Sequence, residues 1–221
     1  MNTAQNLRLN SYMLQLEKNT HCNFGVLLYL CVYKYFSMMK NFLKILFLYF
    51  IMSATSSSAS AEQQKKLIEL KLKTGTVVIE LFPNIAPKHV ERIEELANEG
   101  FYDGLTFHRV IDGFMVQTGD PEGNGTGGST LPDLPAEFSD TKHERGVVSM
   151  ARSMDPNSAN SQFFITLEES PHLNGQYSAF GKVIEGMEHV DQIKKGDGPN
   201  GAVSNPDVIL KMRCIKGSEP R

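Results

Sequence analysis

The chain has 221 residues, 41% of them apolar and 21% charged, with a net charge of −3. That balance excludes a disordered or collagen-like chain, and three cysteines supply no disulfide or zinc framework. The near-neutral charge also excludes nucleic acid as the main partner.

The charge is unevenly spread. Residues 1–61 carry five bases (Arg8, Lys18, Lys34, Lys40, Lys44) against Glu17, a net +4, and the other 160 residues carry −7. Within the basic part, residues 38–61 read as a secretory signal. Lys40 and Lys44 precede Ile45–Met52, an unbroken apolar run, and the stretch ends on Ala59-Ser60-Ala61, a pattern that signal peptidase cuts after. The run is far shorter than the roughly 20 apolar residues of a membrane span. An uncleaved anchor would have to join it to Phe24–Phe36 across Lys34, Lys40, Asn41 and Lys44. Residues 1–37 are too long for the basic start of a signal, so translation is expected to begin at Met38 or Met39. Cleavage after Ala61 would leave a domain of residues 62–221 with Cys214 as its single cysteine, and no internal disulfide.

In that domain, Ile68, Leu70 and Leu72 alternate with charged residues, then Val77, Ile79 and Leu81 do the same beyond Thr74-Gly75. Period-2 alternation on both sides of a turn predicts a β-hairpin over 67–73 and 76–82. Val90, Ile93, Leu96 and Ala97 fall at helical spacing between Pro87 and Gly100, which predicts a helix over 87–98. Further strands are expected at 106–111, 114–118, 146–151, 162–166, 179–184 and 208–215, and a short helix at 187–194. Eight strands with short, irregular connections and two helices predict a mainly β fold, a closed eight-stranded antiparallel barrel capped by two short helices. Residues 119–145 hold five glycines and three prolines with little periodicity. A loop this long in a compact domain is usually functional.

Two segments are dense in chemistry. In the first, 107–120, strand parity places Phe107, Arg109 and Ile111 on one face, His108 and Val110 on the other, with Met115 and Gln117 sharing a face after the Asp112-Gly113 turn. An arginine amid apolar strand residues is costly to bury unpaired. It is either one half of a structural ion pair or a cation presented over a pocket floored by Phe114 and Met115. In the second, 160–166, Phe163 and Ile165 face the core, while Gln162, Phe164 and Thr166 face out, so an exposed Phe164 could wall a groove. The run Gly123–Gly128 lacks the Lys-Ser/Thr ending of a phosphate loop and no helix follows it. His89, His108 and His143 form no cluster with zinc spacing, and no nucleophile elbow is present.

The strings FHRVIDGFMVQTGD (107–120), GNGTGG (123–128), GVVSMAR (146–152), NSQFFIT (160–166), HLNGQY (172–177) and FGKVIEGMEHVDQI (180–193) together resemble the cyclophilin family of peptidyl-prolyl cis-trans isomerases. The resemblance spans about residues 66–216. It implies the same eight-stranded barrel, and it implies roles for particular residues. The catalytic arginine falls on Arg109, the proline pocket on Phe114, Met115, Phe164 and Leu173, and the polar groove residues on Gln117 and Gln162. The backbone that pairs with bound peptide falls on Ala151 and Arg152, and His108 lines the site edge. Three positions depart from the family habit: His172 stands for a Trp, Tyr177 for a rim His, and Arg152 for an Asn. The proline pocket is untouched by these changes, but the preference for residues flanking proline is expected to differ.

The resemblance implies an enzyme that rotates X-Pro bonds without metal or other cofactor. Its implied partners are proline-containing polypeptides, in a bacterial periplasm if the signal is used. A monomer is expected, with membrane contact only through an uncleaved signal. The alternative on the same fold is a non-catalytic proline-peptide binding module or chaperone, which would have no need of Arg109. A barrel enclosing a small ligand is disfavoured, because eight-stranded interiors fill with side chains.

Overall fold

The computed structural model describes residues 24–54 and 65–216. The chain divides into two units, 1–62 and 63–221.

In the first unit, α1 (Phe24–Ala54) is one helix of 31 residues. Lys34, Lys40 and Lys44 break the apolar run without breaking the helix, because lysine is a good helix former. Among the described residues no helix is long and apolar enough to cross a membrane. The expected cleavage point after Ala61, residues 1–23 and Cys22 lie outside the described residues.

The second unit is built on eight strands: β1 (Lys66–Lys71), β2 (Thr76–Leu81), β3 (Arg109–Ile111), β4 (Met115–Thr118), β5 (Val147–Met150), β6 (Phe163–Thr166), β7 (Ala179–Glu185) and β8 (Lys211–Lys216). They form one antiparallel sheet in the order β3-β4-β6-β5-β7-β2-β1-β8. The helices are α2 (Pro87–Glu99) and α3 (Met187–Asp191), with a 3-10 turn at Pro171–Leu173.

The sheet curls as expected, but its ladder is not closed. The outer strands β3 and β8 do not pair. Their seam is bridged by irregular backbone: Thr106 opposite Val208, Phe107 N–H to Asp207 O at 2.9 Å, and Ile209 N–H to Leu105 O at 2.9 Å. Both strands are consequently shorter than their apolar runs suggested. This also corrects the placement of Phe107. Because β3 begins only at Arg109, parity does not extend back to Phe107, which is fully buried in the core together with Val110.

The alternating residues of β1 and β2 supply one wall of the core: Ile68, Leu70, Val77, Ile79 and Leu81 are all buried. Val90, Ile93, Leu96 and Ala97 of α2 are buried in the same cluster, as are Val190 and Ile193 at α3. Each Val, Leu or Ile side chain among them contributes about 1.5–3 kcal/mol on burial. Helix α2 stops at Gly100, whose φ of 80° is left-handed, with Phe101 N–H donating to Leu96 O at 3.0 Å. At the other end Ala86 provides no side-chain cap. Glu137, from the long loop, does so instead, accepting from the N–H groups of Lys88 and His89, each at 3.1 Å.

That contact explains why the 119–145 segment is ordered without regular structure. Its glycines and prolines exclude helix and strand, so its backbone polar groups are satisfied one at a time. Asp120 accepts from the N–H groups of Glu122, Asn124 and Gly125. Asn160 accepts from Ser129 N–H at 2.8 Å and donates to Leu131 O at 2.9 Å. Arg92 of α2 donates to Pro132 O at 2.8 Å. Gly119, at φ 85°, passes so close to the Ser161 carbonyl that a Cβ would collide with it.

Candidate functional site

Strand register dictates which side chains meet. Arg109 of β3 lies opposite Gln117 of β4, and Gln117 lies opposite Phe164 of β6. Directly paired residues share a face, so the three form a row on the outer side of the sheet. A second row, Ile111, Met115 and Thr166, runs beside it. The Asp112-Gly113 turn, tightened by Phe114 N–H to Ile111 O at 3.0 Å, carries Phe114 to the rim.

The first row, with Met115 of the second, floors an open cavity of about 660 Å³. Its lining includes Arg109, Gln117, His108, Phe114, Met115, Ala151, Arg152, Phe164, His172, Leu173 and Tyr177. Gln162 is set apart, lining an adjacent cavity of about 460 Å³ that shares Gln117, Ala151 and Arg152 with the first. All twelve residues singled out in the sequence therefore converge on one groove.

The apolar half is a small cluster separate from the core, made of Met115, Phe164 and Leu173 with Phe114, Tyr177, Ile111 and Ala151 around it. Phe164 is only 5% exposed, not the open wall residue that parity suggested. Tyr177 covers its edge, with ring centroids 5.6 Å apart and planes at 84°, and His143 stacks behind it at 6.3 Å. Leu173 is brought in by the Pro171–Leu173 turn, which also sets the His172 ring 5.2 Å from that of Phe114.

The polar half is a chain of side-chain hydrogen bonds. Arg109 Nη1 donates to Gln117 Oε1 at 3.1 Å, and Gln117 Nε2 donates to Gln162 Oε1 at 2.9 Å. Gln162 Nε2 then donates to Gly127 O at 2.8 Å and Gly125 O at 3.1 Å. Arg109 Nε donates to Asn200 O at 3.0 Å. Its acceptors are thus an amide and a carbonyl. Among the described residues no carboxylate pairs with Arg109, which leaves the presented cation of the two sequence-based alternatives. A guanidinium has five N–H groups, and two of those of Arg109 are engaged, which leaves three without a partner among the described residues.

Two contributors were not legible in the sequence. Asn200 reaches Arg109 because Gly201 lets its segment lie against β3, with Val110 N–H donating to Gly201 O at 2.7 Å. A Cβ at Gly201 would press within 2.8 Å of Val110 O. The Gly-Asp-Gly-Pro-Asn-Gly composition of 196–201 was the available signal. Asp120 is the other: it shapes the loop that presents the Gly125 carbonyl to Gln162. Burial pushes its carboxyl up, but the three backbone N–H donors hold it below the usual range.

The three histidines weighed in the sequence are all buried. His108 lies at the cavity edge, and burial lowers its pKa against the pull of Asp120. His89 is lowered by burial despite its 2.6 Å contact with Glu137. His143 is lowered by burial against its hydrogen bond to Asn174, and its Nε2 meets Ser149 Oγ at 2.9 Å. Among the described residues no group of His, Cys, Asp or Glu could hold a metal ion.

Comparison with known proteins agrees with this geometry. Residues 67–214 match the family model described as cyclophilin type peptidyl-prolyl cis-trans isomerase/CLD. A probable peptidyl-prolyl cis-trans isomerase of Brucella suis is 56% identical over 166 residues, covering 70% of this chain and 85% of that protein. Peptidyl-prolyl cis-trans isomerase B of Bacillus subtilis is 48% identical over 122 residues, covering 55% and 85%. Among solved structures, a Cryptosporidium parvum cyclophilin-type isomerase, crystallised in the presence of the dipeptide Ala-Pro, matches with a TM-score of 0.63 and 31% identity. That match covers 68% of this chain and 99% of the other. A second Cryptosporidium parvum structure of that type gives 0.64 at 31% identity, covering 70% and 99%. The chain belongs to the cyclophilin-type peptidyl-prolyl cis-trans isomerases.

Proposed function

We propose that this isomerase acts on X-Pro bonds of other exported proteins, with Arg109 as the catalytic group and the cavity over Phe114, Met115, Phe164 and Leu173 as the seat of the proline ring. Rotation about an X-Pro bond must break amide resonance, which costs about 18–20 kcal/mol for peptide bonds in general. In the twisted transition state the prolyl nitrogen becomes pyramidal and gains a lone pair. A donor aimed at that lone pair binds the transition state and not the planar ground state, which is the condition for catalysis. Arginine stays charged and holds its donors in a rigid fork.

The observation that carries this reading is the Arg109 guanidinium itself. Gln117 and Asn200 fix its orientation without neutralising it, in the same cavity as the apolar cluster of Met115, Phe164 and Leu173. A hydrogen bond to a charged group is worth about 1.5–3 kcal/mol, or one to two decades of rate. The remaining acceleration falls to the pocket, which grips the ring while the preceding carbonyl swings, and to the Ala151–Arg152 backbone beside it. The test is cis–trans exchange of a short Ala-Pro-Phe peptide followed by NMR. Accelerated exchange is expected, and binding without acceleration would assign a non-catalytic peptide-binding module.

Export rests on a separate observation, the Lys40–Lys44 start, the Ile45–Met52 run and the Ala59-Ser60-Ala61 ending. The mature protein recovered from the periplasm is expected to begin at Glu62 by N-terminal sequencing. A mature species that retains Met1 would overturn both the cleavage and the start at Met38 or Met39.

A further inference from the structure

We infer that Arg152 selects peptides with an acidic side chain close to the proline, on the arm of the peptide that crosses the second cavity. The inference rests on the groove being the peptide site.

Arg152 lines both cavities, so any chain running from one to the other passes it. Its guanidinium lies over the Tyr177 ring, 4.6 Å from the centroid. Nε and Nη2 donate to Gln176 O at 3.2 and 3.0 Å, and Nη1 donates to Ser153 O at 2.9 Å. Every acceptor is a neutral carbonyl, and the ring platform is neutral as well. Among the described residues no carboxylate pairs with Arg152. Its charge is therefore uncompensated, and its orientation is already fixed before a peptide arrives. Of its five N–H groups, two remain for a ligand. A planar, pre-oriented fork of this kind suits a carboxylate.

The surroundings point the same way. The first cavity is lined by two permanent cations, Arg109 and Arg152, and by no acidic residue. It is a cationic groove in a domain whose 160 residues carry −7. The one acid lining the second cavity, Asp133, is exposed and accepts from Asn160 Nδ2 at 2.9 Å. Asp155, in the turn after Arg152, accepts from Asn157 N–H at 2.9 Å. The Arg152 backbone N–H and C=O have no partner among the described residues. Main-chain pairing there would hold a peptide strand in register with the guanidinium.

The experiment uses the full chain and a set of peptides with one Ala-Pro bond. Glu, Gln or Lys is placed in turn at each of three positions on either side of it. Kd is read by NMR titration and kcat/KM by exchange spectroscopy. At one position Glu is expected to bind about five-fold tighter than Gln, with Lys weakest. The Glu/Gln ratio is expected to fall toward one in Arg152→Gln, and also when salt is raised from about 0.05 to about 0.5 M. Equal binding of Glu and Gln at every position, a preference for Lys, or a Glu preference that persists in Arg152→Gln would overturn the inference. Glu-selective binding with no acceleration of exchange would sustain it and sink the catalytic reading alone.

Discussion

Two rows of side chains cross the same strands one residue apart and face opposite ways. The inward row, Val110, Val116, Ile165 and Val148, is apolar throughout and no more than 1% exposed. The outward row, Arg109, Gln117, Phe164 and Ser149, mixes a cation, an amide, an aromatic ring and a hydroxyl. Both rows are made by the same hydrogen-bonded ladder, so backbone geometry does not distinguish them. What differs is the partner each meets. The inward row packs against other apolar side chains and is saturated. The outward row is supported from below by His143 and from the side by Tyr177, and keeps one face open. One face holds the sheet together, and the other uses the rigidity so obtained to aim Arg109.

The sharpest way to break this division is to truncate one residue from each row. Ile165→Ala is expected to lower unfolding stability by about 2–5 kcal/mol in urea denaturation. Its kcat/KM per folded molecule should stay within about two-fold of the parent. Phe164→Ala, the adjacent residue, is expected to cost less stability, because its side chain already borders a cavity. It should lose at least about ten-fold in kcat/KM. Equal stability and activity losses in the two variants would contradict the division.

A smaller effect is expected where the long loop meets α2. Glu137→Ala removes both the helix cap and the partner of a fully buried histidine. A lost cap and an unsatisfied buried polar group together should cost about 2 kcal/mol, read as a lowered urea midpoint. Neither Glu137 nor His89 lines the cavities that hold Arg109 and Gln162, so KM for an Ala-Pro peptide should not move.

For a single histidine variant, the smallest effect concerns the slope of stability with pH. His89, His108 and His143 all have folded-state pKa values below 6.5, with burial the first cause in each. The unfolded chain therefore binds more protons than the folded one just below pH 6.5. Stability is complete above that value and falls as pH drops through it, by at most about 1.4 kcal/mol per pH unit for each histidine. His143→Gln should flatten that slope when denaturation is repeated between pH 7 and 5. An unchanged slope would show that His143 does not contribute to it.

Much of this was legible in the sequence, for identifiable reasons. Alternation in 67–82 and helical spacing in 90–97 report burial directly, so β1, β2 and α2 were found nearly to the residue. Arg109 and Gln117 stand out because a cation and an amide interrupt apolar strands, and Phe164 because parity sets it on the same face as Gln162 and Thr166. What escaped depends on contacts between distant segments. Apolar content runs on through Thr106–Phe107 and Val208, but the ladder does not, so the sequence alone suggests a closed barrel and an outward Phe107 where the structure has an open seam and a buried ring. Phe164 looked exposed because Tyr177 and His143, which cover it, arrive from other parts of the chain. Asn200 was missed because it acts through its carbonyl, which any residue possesses. Glu137 leaves no local pattern because it caps the helix from 49 residues away.

We propose that Arg109 acts on the twisted transition state and not on the planar peptide. It is tested most directly by Arg109→Ala, comparing the loss in kcat/KM with the loss in peptide affinity measured by NMR on the same Ala-Pro peptide. At least about a ten-fold fall in kcat/KM is expected, with Kd changed by less than about three-fold and unfolding stability unchanged. Equal losses in Kd and kcat/KM would make Arg109 a binding residue only, and would contradict it.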